Sequence, residues 1–179
     1  MIPRAHHPAG DAAAEGSRVP AHGHFRRIMG HVPTGVAVVT ALHDGLPAGL
    51  TVGSFTSVSL EPSLVSFTVD RAARSWASIE AAGAFCVNLL AYDQVELCRL
   101  FSSRETAKFR ALSWRPAGSG SPVIDGVVAW IDCDTERVLE AGDHHLVIGR
   151  VRELDVARTV PPLLFYRGGY GRVEAGEPA

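Results

Sequence analysis

The stretch Leu50–Asp70, LTVGSFTSVSLEPSLVSFTVD, decides the fold class. Its first residues end a strand, SLEPS (59–63) turns the chain, and LVSFTV (64–69) reads as a strand coming back. Between the two, Thr51, Ser54, Thr56, Ser57 and Ser59 place five hydroxyls within nine residues, among apolar residues of core type. One hydroxyl on a strand is ordinary. A cluster at a strand end and the following turn is a surface built to hydrogen-bond a ligand's phosphates or carbonyls, because buried hydroxyls cost stability unless something satisfies them.

Outward from this stretch the chain keeps the same grammar. GVAVVTAL (35–42) and AGLTVGSF (48–55) are strands joined by HDGLP, whose Asp44-Gly45 is a strong hairpin signal. SWASIEAAG (75–83) reads as a short helix, with Ser75 as N-cap and Gly83 as stop. AFCVNLLA (84–91) is a strand, and DQVELCRLFSS (93–103) is a helix with Val95, Leu97, Cys98 and Phe101 on its apolar side. WRPAGSGSP (114–122) reads as loop. In VVAWIDCDTERVLEAG (127–142), Ala129, Ile131 and Cys133 alternate with Asp132, Asp134 and Glu136, giving one buried and one wet face. DHHLVIGRVRELDV (143–156) is a further strand, and PPLLFYRGGYGRV (161–173) holds one last short strand. Near the start, Phe25, Ile28, Met29 and Val32 in HFRRIMGHVPTG (24–35) follow one helical face, with Arg26 and Arg27 outward. Phe25, Ile28 and Trp130 suit core or an interface, with core the expected place. Six or so strands joined mainly by hairpins, without regular helix alternation, predict a mainly β (α+β) fold: an antiparallel barrel with a few short helices.

The totals bound the rest. The chain has 179 residues, 46% hydrophobic and 20% charged, with a formal net charge of −2. That suits one domain with its own core, and it argues against nucleic-acid or membrane-surface binding, which needs a basic face. Residues 1–22 read as a disordered tail, 23–174 as the domain and 175–179 as a C-terminal tail. His6 and His7 in the first tail read as solvated. No apolar run has transmembrane length, and the start lacks the apolar stretch of a signal peptide. Three widely spaced cysteines, Cys86, Cys98 and Cys133, with no CxxC, suggest neither zinc nor a redox dithiol and fit the cytoplasm. Dinucleotide-fold GxGxxG, Walker, GxSxG and HExxH motifs are all absent. His144 and His145 are adjacent on a strand and point to opposite faces, so they do not share a metal. Asp132 and Asp134 face the same way, and on a wet face they read as solvated charge.

FRRIMGHVPTGVAVVTA (25–41), GLTVGSFTSVSLEPSLVSF (49–67), FCVNLLA (85–91), RLFSSRETAKF (99–109) and GDHHLVIGRV (142–151) occur in that order. Together they resemble the flavin-reductase-like family, over roughly Phe25 to Val173. The resemblance implies an FMN-binding split barrel and an NAD(P)H:flavin oxidoreductase, using FMN or FAD with NADH or NADPH. It further implies a homodimer that serves a partner monooxygenase through diffusing reduced flavin. By the same resemblance Thr51, Val52, Ser54, Thr56 and Ser57 bind the flavin ring edge and ribityl chain, and Ser57, Val58 and Ser59 approach the phosphate. Relatives often carry Asn at the place of Gly53, so any contact there is made by backbone. Arg74 and Ser75 match a spot near the phosphate, although a surface Arg and a helix cap explain them equally well. Asn88 matches a residue beside the flavin, its bland alternative being a buried Asn satisfied by backbone. Phe101, Ser102, Ser103, Lys108 and Phe109 match a segment on the phosphate side, Lys108 offering a cation. His144 matches a histidine near the nicotinamide or flavin, with a positioning or electrostatic role. Tyr166 and Tyr170 are rim aromatics. Arg71, Arg74, Arg104 and Arg110 are all open as partners for a 2′-phosphate. The competing readings are a flavin-binding or electron-transfer module without NAD(P)H turnover, and a related barrel oxidase of a pyridoxine phosphate or a deazaflavin-linked reductase.

Overall fold

A computed structural model describes residues 21–173; residues 1–20, read as disordered, and the C-terminal tail 175–179 lie outside these residues, whereas His22, placed in the first tail, already opens a helix. The elements run α1 (His22–Met29), β1 (Thr34–Gly35), β2 (Ala37–His43), β3 (Leu46–Val52), β4 (Thr56–Leu60), β5 (Ser63–Asp70), α2 (Trp76–Ala82) and β6 (Ala84–Leu89). They continue with α3 (Val95–Ser102), β7 (Trp114–Pro116), β8 (Pro122–Ile124), β9 (Ala129–Ala141), β10 (His144–Val156), β11 (Leu163–Tyr166) and β12 (Gly169–Arg172). The main sheet has seven strands in the order β3-β2-β6-β9-β10-β5-β4, all antiparallel. β1, β11 and β12 form a small second sheet, and β7 with β8 a two-stranded ribbon.

The turn chemistry behaves as read. Asp44 and Gly45 take φ of 50° and 74°, the left-handed pair a tight hairpin between β2 and β3 requires. Gly83 stops α2 at φ 67°. The main sheet curls on itself. Leu50 and Val52 of β3 share one core with Val65, Phe67 and Val69 of β5, although the two strands stand far apart in the sheet order. Just past β3, the Ser54 hydroxyl donates to the Thr68 carbonyl (3.2 Å) and accepts from the Thr68 N–H (2.8 Å), tying the end of β3 to β5. The result is a split barrel: the antiparallel barrel expected from the hairpin pattern, in the split form that the resemblance implied.

Both faces of β2 and β6 are buried, which follows from strand parity. Val39, Ala41, Phe85 and Val87 point into the barrel, with Phe67 and Phe85 edge-to-face at 5.3 Å. Val38, Cys86 and Leu90 point outward, where α3 and β8 cover them with Cys98, Phe101, Val123 and Ile124. Each such aliphatic or aromatic side chain contributes about 1.5–3 kcal/mol on burial.

Several expectations are corrected here. The hydroxyl run Thr56–Ser59 is not a strand end and turn but a strand of its own, β4, at the edge against β5. WRPAGSGSP is not wholly loop: β7 and β8 form a hairpin around Ser119. The last segment makes two strands rather than one. Asp132 is fully buried rather than wet, because the 117–121 turn folds over it. Ser119 N–H donates to its carboxylate at 2.8 Å and Ser119 Oγ at 2.5 Å. Asp134 is the solvated member, paired with Arg152 at 2.7 Å. The apolar side of α1 is not core: Phe25 is 56% and Ile28 53% exposed, and no residue of the helix is buried. Trp130, by contrast, is buried. No helix among the described residues is long and apolar enough to cross a membrane.

Candidate functional site

A cleft of about 810 Å³ opens at the seam of the barrel, where β3 ends beside β5. Several elements bring residues to it. The end of β3 and the next residues supply Thr51, Val52, Gly53 and Ser54; the end of β5 supplies Thr68, Val69 and Asp70. The chain entering α2 supplies Arg74 and Ser75, and the end of α3 with its following turn supplies Phe101, Ser102, Ser103, Arg104 and Lys108. His144, the first residue of β10, closes one side.

The hydroxyls have a structural task that is visible in their partners. The C-terminus of α3 leaves carbonyls without intrahelical donors. Thr51 Oγ1 and Ser102 Oγ both donate to the Cys98 carbonyl, at 3.1 and 2.8 Å, and Ser103 Oγ donates to the Leu100 carbonyl at 2.8 Å. Lys108 Nζ completes the set, donating to the Phe101 carbonyl at 2.7 Å. The Thr51 hydroxyl therefore ties β3 to α3, while those of Ser102 and Ser103 close the last turn of α3 itself. Ser75 differs: it sits at the N-cap of α2 but makes no capping hydrogen bond.

The charge is divided along the cleft. Arg74, Arg104 and Lys108 gather at one end. Neither Arg74 nor Arg104 forms a salt bridge with the described residues, in contrast to Arg150, Arg152 and Arg158. Burial holds the Lys108 ammonium below the ordinary lysine pKa, with nearby Glu105 opposing the shift. The Glu105 carboxylate accepts from the Thr106 and Ala107 N–H groups at 2.8 and 2.9 Å, and those bonds keep its pKa low. At the other side His144 Nδ1 lies 2.7 Å from Asp143 Oδ1, and this contact lowers the Asp143 pKa. His145, on the opposite face of the strand, stacks on Trp76 with centroids 5.6 Å apart.

The cleft thus has the volume of a cofactor site. Its cationic end suits phosphate, and its other end is polar and lined by strand backbone. The donor set fits a phosphorylated ring system such as a flavin.

The expected residues divide cleanly. Thr51, Val52, Ser54, Arg74, Ser75, Phe101, Ser102, Ser103, Lys108 and His144 line the cleft. Phe109 lines an adjoining hollow. Thr56, Ser57, Val58 and Ser59 lie on edge strand β4 and do not line the cleft of this chain. Asn88 does not reach it either: it is fully buried on the outward face of β6, in the same parity as Cys86 and Leu90. Its amide lies 3.0 Å from Thr40 Oγ1 and 3.2 Å from the Pro122 carbonyl, and its oxygen accepts from Ile124 N–H at 2.8 Å. Tyr166 and Tyr170 stand on the small sheet away from the cleft, Tyr170 Oη resting 3.4 Å from Cys98 Sγ. Thr34, Thr68, Asp70 and Arg104 join the cleft lining. Thr68 and Asp70 were open to discovery through the polar alternation of β5; Thr34 carried no local signal.

The comparisons with known proteins identify the family. The model of the flavin reductase like domain matches residues 29–174. A flavin reductase of Pseudomonas putida is 56% identical over 82% of this chain and 87% of its own length. The reductase subunit HsaB of a flavin-dependent monooxygenase from Rhodococcus jostii is 45% identical over 84% of this chain and 77% of its own. Among solved structures, nitrilotriacetate monooxygenase component B from Mycobacterium thermoresistibile superposes with a TM-score of 0.84 at 45% identity, covering 88% of this chain and 90% of that one. The Streptomyces globisporus NADH:FAD oxidoreductase SgcE6, solved with NAD and FAD fragments, gives 0.81 at 34% identity, covering 86% and 93%. With this match over most of its length, the chain belongs to the flavin reductase like domain family.

Proposed function

We propose that this protein is an NAD(P)H:flavin oxidoreductase, the reductase component that supplies reduced flavin to a partner monooxygenase. The observation that carries the reading is the seam cleft, with Arg74 and Arg104, which have no salt bridge among the described residues, on one side and His144 on another, in a chain whose relatives are named as flavin reductases and monooxygenase reductase subunits. Bound flavin and nicotinamide nucleotide carry the hydride chemistry themselves. The protein's residues bind, orient and exclude water. Arg74, Arg104 and Lys108 hold phosphate; Thr51, Val52, Gly53 and Ser54 offer backbone and hydroxyl groups to the polar ring edge; Phe101 supplies an apolar wall. His144, steered by Asp143, positions the nicotinamide. The same reading makes the protein cytoplasmic, where NAD(P)H is available. It also makes the protein a homodimer, supported by the exposed Phe25, Ile28 and Met29 of α1.

The test is oxidation of NADH and of NADPH by purified protein with FMN, FAD or no flavin. Turnover that saturates with added flavin is expected. Flavin binding without oxidation of either nucleotide would leave the electron-transfer module instead. For His144, replacement by alanine is expected to raise the nicotinamide KM or lower turnover; unchanged values of both would remove that role.

A further inference from the structure

Of the 17 lysines and arginines in the chain, Lys108 alone is a lysine. It stands in the turn after α3 and lines both the seam cleft and an adjoining hollow of about 230 Å³, so its amine is reached from two open spaces. Arg74 and Arg104 line the same two spaces. What separates these three cations is chemistry. A guanidinium stays protonated, whereas an amine that gives up its proton becomes a nucleophile.

The surroundings of Lys108 favour that second role. Nζ is held in place: it donates to the Phe101 carbonyl at 2.7 Å and stands 5.7 Å from the centre of the Phe101 ring. Burial, which lowers its pKa, enlarges the neutral fraction, and nearby Glu105 opposes this less strongly. A desolvated lysine beside other cations is the usual form of an activated amine. A neutral amine still has an N–H for the Phe101 carbonyl, and its lone pair is left over for attack. Beside it, Arg74 and Arg104 have no salt bridge among the described residues and are available to a phosphate. A donor whose phosphate is bonded directly to an electrophilic carbonyl is brought to the amine by that grip. The same guanidiniums stabilise the charge on the phosphate as it departs.

We propose that Lys108 is an acylation site, which takes its acyl group from an acyl phosphate held through its phosphate by Arg74 and Arg104. The neutral amine attacks the carbonyl carbon. The N–C bond forms as the C–O bond to phosphate breaks, the phosphate leaves with the electron pair of that bond, and the proton released by nitrogen passes to phosphate or solvent. The product is an uncharged amide, so this side of the cleft loses a positive charge. Weaker flavin binding as the consequence rests on the flavin reading of the cleft; the acylation itself does not.

The experiment treats purified protein with acetyl phosphate and, separately, with p-nitrophenyl acetate, an acetyl donor without a phosphate. Mass spectrometry of the peptide that holds Lys108 gives both rates. Native protein is expected to be acetylated there by acetyl phosphate. Arg74→Gln and Arg104→Gln are each expected to slow that reaction about tenfold, through loss of a charged hydrogen bond, and to change the p-nitrophenyl acetate rate less than about twofold. Both arginine side chains are exposed, so neither change opens the core, and thermal melting checks the fold. Inorganic phosphate added to wild type is expected to act as the variants do, without any substitution. Failure of acetyl phosphate to label native Lys108 overturns the proposal. So does a rate indifferent to both arginines and to phosphate, or an equal slowing with both donors, which reports access to the amine rather than capture of phosphate. The acetylated protein is then titrated with FMN, and a dissociation constant raised about tenfold is expected. An unchanged constant after arginine-dependent acetylation refutes only the placing of the flavin phosphate beside Lys108.

Discussion

Replacing Gly49 by alanine tests how the barrel holds its binding end in place. Gly49 lies on β3 beneath α3, where an added Cβ would stand 2.6 Å from Phe101 Cε1, 3.0 Å from Cδ1 and 3.2 Å from the Val39 carbonyl oxygen. Carbon atoms rest at about 3.5–4.0 Å, so the ring must withdraw by about 1 Å. It has little room to do so: Phe101 is fully buried and packs edge-to-face on Phe109 at 5.2 Å. Overpacking of this kind costs about 1–3 kcal/mol. The alanine also restricts the unfolded chain, which offsets about 0.4–1 kcal/mol. The net loss is about 1–2 kcal/mol, or about 2–8 °C in Tm for a domain of this size. Because Phe101 carries Ser102, Ser103 and Arg104 with it, flavin affinity falls together with Tm. The assay pairs thermal unfolding with a flavin titration. Phe101→Leu removes the atoms that clash, so the double variant costs less than the sum of the singles by about 0.5–3 kcal/mol. A Gly49→Ala protein with wild-type Tm and flavin affinity, or strict additivity in the pair, would refute the reasoning.

Gly149→Ala drives a Cβ into Phe85 Cζ and to 3.1 Å from Cys133 Cβ inside the barrel; we expect a Tm loss at least as large, measured by the same melt, with little effect on flavin binding. Lys108 has its pKa lowered mainly by burial. Between its folded and unfolded values the unfolded chain binds more protons, so stability rises as pH climbs through that window, whereas affinity for the flavin phosphate falls as the ammonium is lost. Lys108→Arg should flatten the fall in affinity, because a guanidinium stays charged; an equally steep fall in that variant assigns the dependence to another group. Burial, reinforced by Asp132, pushes the Cys133 thiol up to about 12 and raises that of Cys86 as well. With Cys98 also buried, a thiol reagent should find none of the three in native protein and all of them after unfolding; rapid native labelling of Cys86 or Cys133 contradicts this core.

Local chemistry is what the sequence by itself determined. Asp44-Gly45 specifies its hairpin because few residue pairs adopt two consecutive positive φ angles. The alternation from Ser63 to Asp70 specifies β5, and the spacing of Cys98 and Phe101 specifies the buried side of α3. The ordered motifs carried the family, and through it Arg74, Ser75, Ser102, Ser103, Lys108 and His144 reached the cleft residue by residue. What the tertiary structure decided is which face of each element is covered, and by what. Asn88 and Asp132 sit on faces whose parity the sequence shows, but only the fold brings the 117–124 hairpin across to bury them, from 36 residues away for Asn88 and 13 for Asp132. The apolar stripe of α1 is helical as its period requires, yet among the described residues nothing buries it. The hydroxyls of Thr51, Ser102 and Ser103 looked like donors to a ligand; the fold turns them onto the carbonyls of α3. Periodicity reports that an element has two unlike faces, whereas burial is a property of the segment that arrives from elsewhere in the chain.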